Sequence, residues 1–403
     1  MRILVISDLH IGEKARGKDL CPNGSNKWLD ENYKQDFINY IRRENIAANY
    51  IVITGDISDS ATPEQFEVGY RFVKEIADVA NVPYDNILIV PGNHDVDWRI
   101  LDIAENQTGR SLEYRKKHRY DSLIDGFNNE FVKTELINEP YYYIWDFADL
   151  LVVGFNSAWN DEKNVKVHNG EILNATIEDI ETDLLRKNIN KEKIKLFITH
   201  HHLFQFSDPI SQDPDYSIMI NAENILQMLS RNRFDMIIHG HKHIPRIKTL
   251  EMDSLHPLSL LCAGSFSVIL DQRLSGCVLN SFHLVHFEGR DTKTDRIYGY
   301  VENYSFSSPH KWLKSEKSNS SVLFKHGFGS YSNIKQLKGE LIPLITEIMR
   351  ARGSLVWSTF CQDNRKLLYH TPEFITQLTD EIAKDLEIFK YAAGNEIIFT
   401  SYG

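Results

Sequence analysis

The sequence predicts an α/β fold in which a parallel sheet is covered by helices. Three observations predict it. Apolar runs of strand length alternate with helical patterns in the order β-α-β-α-β over residues 2–90, which implies parallel pairing with helices packed on the sheet. Asp, Asn and His residues sit just past the ends of these runs, where open α/β sheets collect their chemistry. At 403 residues, with 42% hydrophobic and 25% charged side chains, the chain is long enough for one large core plus an added unit.

Residues 2–7 read as a buried strand carrying Ile3, Leu4, Val5 and Ile6, residues 29–48 as a helix, and residues 50–54 as the next strand. Pro63 opens a helix that runs to about residue 80. Thr62 is its N-cap, and Pro63 takes the first helical position, where a missing N–H costs nothing. Residues 86–90 form the third strand. Residues 97–140 then interrupt the pattern as a polar, mostly helical insert. Residues 141–146 and 150–155 read as a hairpin, residues 176–187 as a helix, and residues 195–199 as a strand ending at His200, His201 and His202. A helix over 222–230 leads to a strand over 234–238, which ends at His239. Residues 246–304 suggest further antiparallel strands.

The first unit is therefore expected over residues 1–304. Residues 305–321 carry seven serines in seventeen positions, the composition of a linker, and residues 322–403 form a C-terminal, mainly helical extension. Its first helix, 334–349, holds Pro343, which is expected to kink it. Its second starts at Thr371-Pro372 and places Ile375, Leu378, Ile382, Leu386 and Phe389 on one face. The extension reads as a docking module for a protein partner, a dimerisation element or a packed addition.

The formal net charge of −11 argues against a protein that attracts nucleic acid through its overall field. Cys21, Cys262, Cys277 and Cys361 show no CxxC spacing and read as reduced thiols. The chain opens directly into a strand, with no room for a leader, and no apolar run approaches the length of a membrane span. These observations predict a cytoplasmic protein without a membrane segment.

Eight of the sixteen histidines fall in a few short segments that follow apolar runs. Asp8 and His10 follow the first strand; on an extended backbone, positions two apart point the same way, so both reach one ion. Asp56 follows Gly55, which lets the chain turn sharply, and a carboxylate there is able to bridge two cations. Asn93, His94 and Asp95 follow Pro91-Gly92; turn chemistry explains Pro91, Gly92 and Asn93 but does not call for His94. Among His200, His201 and His202, His200 stands nearest the strand end and is the expected ligand. His241 and His243 repeat the two-residue spacing, and His239, one position early, reads as a structural neighbour.

The motifs DxH, GDxxD, GNHD, a strand-end His and GHxH, in this order, resemble those of the calcineurin-like metallophosphoesterases over roughly residues 1–290. That resemblance implies a four-layer αββα sandwich of two mixed β-sheets flanked by helices. It implies two divalent metal ions, with Asp8, His10 and His243 on one, Asn93, His200 and His241 on the other, and Asp56 bridging. A hydroxide bridging the ions would attack phosphorus in line, with His94 assisting the leaving group and Asp59 hydrogen-bonded to His94. The oxygen and nitrogen donors suit Mn²⁺, Fe or Zn²⁺, with Mn²⁺ favoured.

The substrate expected is a phosphoester, a small nucleotide-type diester above a monoester. The segments Gly55–Asp59, Thr62–Phe66 and Asn169–Ile172 resemble the branch with class III cyclic-nucleotide phosphodiesterases, whereas Leu203-Phe204 replaces a proline common there. Arg110, Arg115, Lys116, Lys117, His118 and Arg119 give the insert a basic character, and a basic lid over the site would admit nucleic acid, the less favoured substrate. A non-catalytic scaffold is disfavoured by the intact ligand set.

Overall fold

The computed structural model describes residues 1–22, 30–102, 118–130, 142–161, 169–187, 192–205, 218–252, 256–270, 278–308, 310–316, 322–330, 332–393 and 395–401. The first half runs β1 (Arg2–Ile6), α1 (Tyr33–Arg43), β2 (Tyr50–Ile53), α2 (Pro63–Ala80), β3 (Ile87–Ile89), α3 (Trp98–Asp102), α4 (Asp121–Glu130), β4 (Tyr142–Asp146), β5 (Leu150–Phe155), α5 (Asn174–Arg186) and β6 (Ile194–Ile198). It continues with α6 (Ala222–Arg231), β7 (Met236–His239), β8 (Arg246–Leu250), β9 (Leu258–Cys262), β10 (Ser281–Arg290), β11 (Ile297–Ser307), β12 (Lys311–Lys314) and β13 (Lys325–Phe328). The C-terminal part is α7 (Ile334–Arg352), β14 (Ser354–Val356), α8 (Trp357–Asp363), α9 (Pro372–Asp385), β15 (Phe389–Ala393) and β16 (Glu396–Thr400).

Two mixed sheets form the middle of the molecule. In the first, β1, β2 and β3 are parallel neighbours, as the alternation of elements predicts, and β10 joins β1 in antiparallel fashion. The second has the order β4-β5-β6-β7-β9-β8, with β5, β6, β7 and β9 parallel. Side-chain alternation along each strand decides the layers. Leu4 and Ile6 face α1 and α2, packing with Phe37, Phe66 and Val73. Ile3 and Val5 face the other way and meet Val152, Leu196, Ile198 and Ile238 of the second sheet. On its far side, Leu151, Val153, Phe197 and Ile237 pack on residues of α5 and α6. Helix, sheet, sheet, helix is the expected four-layer sandwich. Among the described residues no helix is long and apolar enough to cross a membrane.

Helix α2 begins where the sequence places it, with the Thr62 side chain accepting a hydrogen bond from the Gln65 N–H. The expected linker 305–321 is corrected by the structure. Ser305–Ser307 complete β11, and β12 pairs beside it in the first sheet. Two of the serines that suggest a solvated linker, Ser305 and Ser315, are fully buried and share a 2.6 Å hydrogen bond. Between them Trp312 enters the core among Tyr33, Phe37, Phe266 and Phe282. Residues 317–321 lie outside the described residues. With β13 also on β11, the sheet reaches past residue 304 to Phe328.

The C-terminal helices are present and share a core of Leu337, Leu341, Ile345, Leu378, Ile382 and Phe399. They carry a three-stranded sheet, β14-β16-β15, that the helical expectation omits. Helix α7 runs through Pro343. Helix α9 stops at Asp385 because Glu387 takes a positive φ of 52° and turns the chain. Phe389 therefore starts the exposed strand β15 instead of extending the apolar face of the helix.

Candidate metal centre

Asp8, Asp56, Asn93, His200, His241 and His243 all lie in the segments that follow the carboxyl ends of β1, β2, β3, β6 and β7, Asn93 at the start of a single 3-10 turn. Main-chain hydrogen bonds fasten these loops together. The Asp8 N–H donates to Gly55 O at 3.1 Å, the His10 N–H to Asp56 O at 2.9 Å, and the Gly240 N–H to His200 O at 3.1 Å. The backbone here is not extended, which corrects the geometric argument from two-residue spacing. Asp8, His10, Asp56, His241 and His243 have φ of 53°, 46°, 52°, 76° and 61°. Left-handed conformations are uncommon for residues with a Cβ and persist where the surroundings enforce them. It is this turning that aims both members of each pair inward. Gly55, at φ 93°, has no room for a Cβ, which would stand 2.7 Å from His200 Nδ1.

Asp8 is held through one oxygen: Oδ2 accepts from the Ser7 hydroxyl and from the His241 N–H at 3.3 Å. Its Oδ1 faces His10 Nε2 at 3.9 Å and His243 Nε2 at 4.0 Å. Asp56 Oδ1 accepts the His94 N–H at 2.8 Å, which leaves Oδ2 3.4 Å from His10 Nε2 and 3.3 Å from His200 Nε2. His200 Nδ1 is anchored on Thr54 O at 2.7 Å, while its Nε2 lies 3.1 Å from Asn93 Oδ1 and 3.1 Å from His241 Nδ1. The seven expected ligands thus converge, and His200 is the member of the triplet that joins them. His201 is bound to the Ser157 hydroxyl instead, and His202 turns toward His239.

Burial raises the Asp8 carboxyl above its ordinary range, against the pull of His243 and His200. Burial would raise Asp56 too, but His200, His94 and His10 overcome it and hold its carboxyl well below the ordinary range. Burial lowers His10, His241 and His243, so these imidazoles are neutral, the form that binds metal. Burial also acts downward on His200, yet the Asp56 carboxylate outweighs it and lifts the ring to about 9. The residues fit a cation. Asp8 Oδ1, both ring nitrogens of His10 and His243 Nδ1 are buried without a hydrogen-bond partner, and the acceptors among them cost free energy unless something positive satisfies them. Carboxylate, amide and imidazole donors match divalent first-row ions.

His94 stands at the rim with 28% of its side chain exposed, its ring in a T-shaped contact with that of His10 at a centroid distance of 4.7 Å. Its Nδ1 is 2.9 Å from the main-chain oxygen of Asp59. The expected hydrogen bond to the Asp59 carboxylate is replaced: Oδ1 is 3.8 Å from His94 and 3.1 Å from Lys14 Nζ. Sequence reasoning passed over Lys14, and also Ser7 and Thr54, which chain their hydroxyls to Asp8. It gave Asp95 no role, yet this buried carboxylate accepts from the Ser58 and Gly92 N–H groups and shapes the loop that carries Asn93 and His94. An Asp at a turn is a common signal and would not have distinguished it.

The basic insert divides. Arg110, Arg115, Lys116 and Lys117 lie outside the described residues, and His118 pairs with Asp121 at 2.7 Å. Arg119 is no part of a lid. Its guanidinium is fully buried and donates to the main-chain oxygens of Ala158, Trp159 and Asp161.

The description "calcineurin-like phosphoesterase" belongs to the family that matches residues 1–245. A curated relative from Xenorhabdus bovienii (strain SS-2004), described as a probable cyclic nucleotide phosphodiesterase, is 23% identical over 258 residues, 61% of this chain and 80% of the relative. Among solved structures the chain is similar to purple acid phosphatase PPD1 from yellow lupin (Lupinus luteus) seeds, with TM-score 0.47, 14% identity and 78% of this chain covered; it spans about half of that protein, 52%. It is also similar to phosphopantetheinyl hydrolase from Mycobacterium tuberculosis, with TM-score 0.33, 13% identity, 65% of this chain and 89% of that one.

Proposed function

The chain belongs to the calcineurin-like phosphoesterase family, and from that premise we propose that it is a metal-dependent phosphodiesterase acting in the cytoplasm on small nucleotide-type diesters. The observation that carries the reading is Asp56 Oδ2, placed 3.4 Å from His10 and 3.3 Å from His200, between two sets of donors. Asp8, His10 and His243 would hold one ion with Asp56, and Asn93, His200 and His241 the other. Two divalent ions, Mn²⁺ favoured over Fe and Zn²⁺, would supply Lewis-acid stabilisation of phosphoryl oxygens and a water of lowered pKa.

The chain's own residues do the rest. Asp8 and Asp56 are both buried, whereas His94 and His243 keep 28% and 19% of their side chains exposed, so a phosphoester approaches from the His94 side. The Asp59 carbonyl fixes the first proton of His94 on Nδ1. A second proton, on Nε2, is the one His94 would pass to the leaving-group oxygen. Asp59 acts as a positioning residue through that carbonyl. The diester assignment is supported by the description of the Xenorhabdus relative. Nucleic acid loses support as a substrate because Arg119 is committed to carbonyls inside the fold.

The test is Mn²⁺-dependent hydrolysis of bis-p-nitrophenyl phosphate, p-nitrophenyl phosphate, cyclic AMP and single-stranded DNA in parallel, with Asp56→Asn as control. Turnover of the diester and cyclic AMP, abolished in the control, is expected. Activity that survives Asp56→Asn would sink the site assignment, and turnover of the monoester alone would sink the diester reading.

A further inference from the structure

We propose that His202, His239 and Cys262 form a third metal site, separate from the seven-ligand centre and suited to zinc. All three side chains are essentially inaccessible to solvent. They lie at the carboxyl ends of three neighbouring strands, since β6, β7 and β9 are adjacent in the second sheet. His239 and Cys262 are the last residues of β7 and β9, and they stand opposite each other in register.

The spacing is that of ligands. One donor atom from each of the three residues lies within 4.8 Å of the other two. His202 Nε2 is 3.9 Å from Cys262 Sγ, and the rings of His202 and His239 are 4.3 Å apart, tilted by 55°. Around a tetrahedral zinc, with Zn–S about 2.3 Å and Zn–N about 2.0 Å, sulfur and nitrogen stand roughly 3.6 Å apart. The seven-residue centre gives an internal standard: its facing donors are separated by 3.1 to 4.0 Å in the same structure. A fourth donor is at hand in Gly240 O, 4.0 Å from Cys262 Sγ and 3.4 Å from His239 Nδ1.

The donor set also differs in kind. The seven-ligand centre has no sulfur, whereas two imidazoles with a thiolate favour a softer ion such as Zn²⁺. The thiolate brings a negative charge that offsets part of the ion's charge in a buried place. Bound there, zinc would tie together the ends of the strands whose loops carry His200, His241 and His243.

Cobalt(II) tests this directly, because only a thiolate ligand adds an intense near-ultraviolet charge-transfer band to its spectrum. The metal-free full chain is loaded with Co²⁺, freed of excess by gel filtration, and analysed for cobalt per chain. Three equivalents and the thiolate band are expected, with zinc bleaching the band. Cys262→Ser should lose the band and one equivalent, while Cys21→Ser and Cys361→Ser keep both. Absence of the band from the wild-type protein, or its survival in Cys262→Ser, overturns the proposal. Should Cys262→Ser not fold, His239→Gln serves as the second variant and should bind one equivalent fewer; a full three equivalents in His239→Gln overturns the proposal.

Discussion

His94 is oriented by a main-chain oxygen, not by a carboxylate, and this changes what substitutions should do. Its Nδ1 sits 2.9 Å from Asp59 O, and the Asp59 carboxylate is engaged with Lys14 at 3.1 Å. Asp59→Asn preserves the carbonyl, so turnover should stay within a few-fold of the parent. His94→Ala removes the proposed proton donor and should lower kcat by about 100-fold or more, the scale of general acid catalysis. Metal content should be unchanged in both, because neither residue is among the seven proposed ligands. The measurement is kcat together with bound metal per chain. A fall in Asp59→Asn as deep as in His94→Ala would mean the carboxylate orients the ring, and lost metal in His94→Ala would make His94 a ligand. The side chains that converge were legible in the sequence because Asp, Asn and His past apolar runs have few other reasons to recur. Their left-handed backbone was not legible, since a φ of 53° at Asp8 or 76° at His241 is imposed by loops from distant strands.

At the scale of elements, legibility followed local chemistry. Helix α2 was bounded correctly because Thr62 and Pro63 carry the start signal in their own side chains. Strands β1, β2 and β3 were found because both faces of the sheet are covered and the runs are continuously apolar. Strand β12 was missed because its anchor, Trp312, is flanked by lysines and serines, and the burial of Ser305 and Ser315 depends on their meeting across the sheet. Strand β15 was missed for the opposite reason, since most of its side chains are exposed. The corrected boundary makes a prediction. A chain ending at residue 304 lacks β12 and β13 and should be insoluble or molten, whereas one ending at residue 332 keeps the whole first sheet and should fold and bind metal. Trp312→Ala in the full chain should cost about 3–5 kcal/mol, the usual range for removing a buried large aromatic. Urea unfolding of the two truncations and of the point variant checks this. A cooperative transition from the 304 chain would show that β12 and β13 are dispensable.

The molecule is also pinned by neutral histidines outside the converging seven, and these shape its response to acid. His283, buried in β10, bonds through Nδ1 to Asn303 Oδ1 at 2.7 Å and accepts the Gly264 N–H on Nε2 at 3.1 Å. Burial pushes it down to about 4. His370 stacks on Phe374, bonds to Ser330 Oγ at 3.0 Å where the C-terminal unit meets the end of β13, and is likewise lowered by burial to about 4. The unfolded chain takes up these protons near the ordinary value of 6.5, whereas the folded chain resists them until about 4. Stability from both groups is therefore complete above 6.5, falls as the pH drops through the window, and levels off below about 4. Inside the window each group removes at most about 1.4 kcal/mol per pH unit. The loss should reach the metal loops, because Gly264 precedes Ser265, whose hydroxyl holds Asp8 O at 3.0 Å. Urea midpoints of the metal-free protein, followed from neutral pH downward, should fall across that window, and His283→Gln should flatten part of the slope. A midpoint that is constant through the window would mean these histidines are not held neutral, and the acid response would then have to come from carboxylates titrating lower.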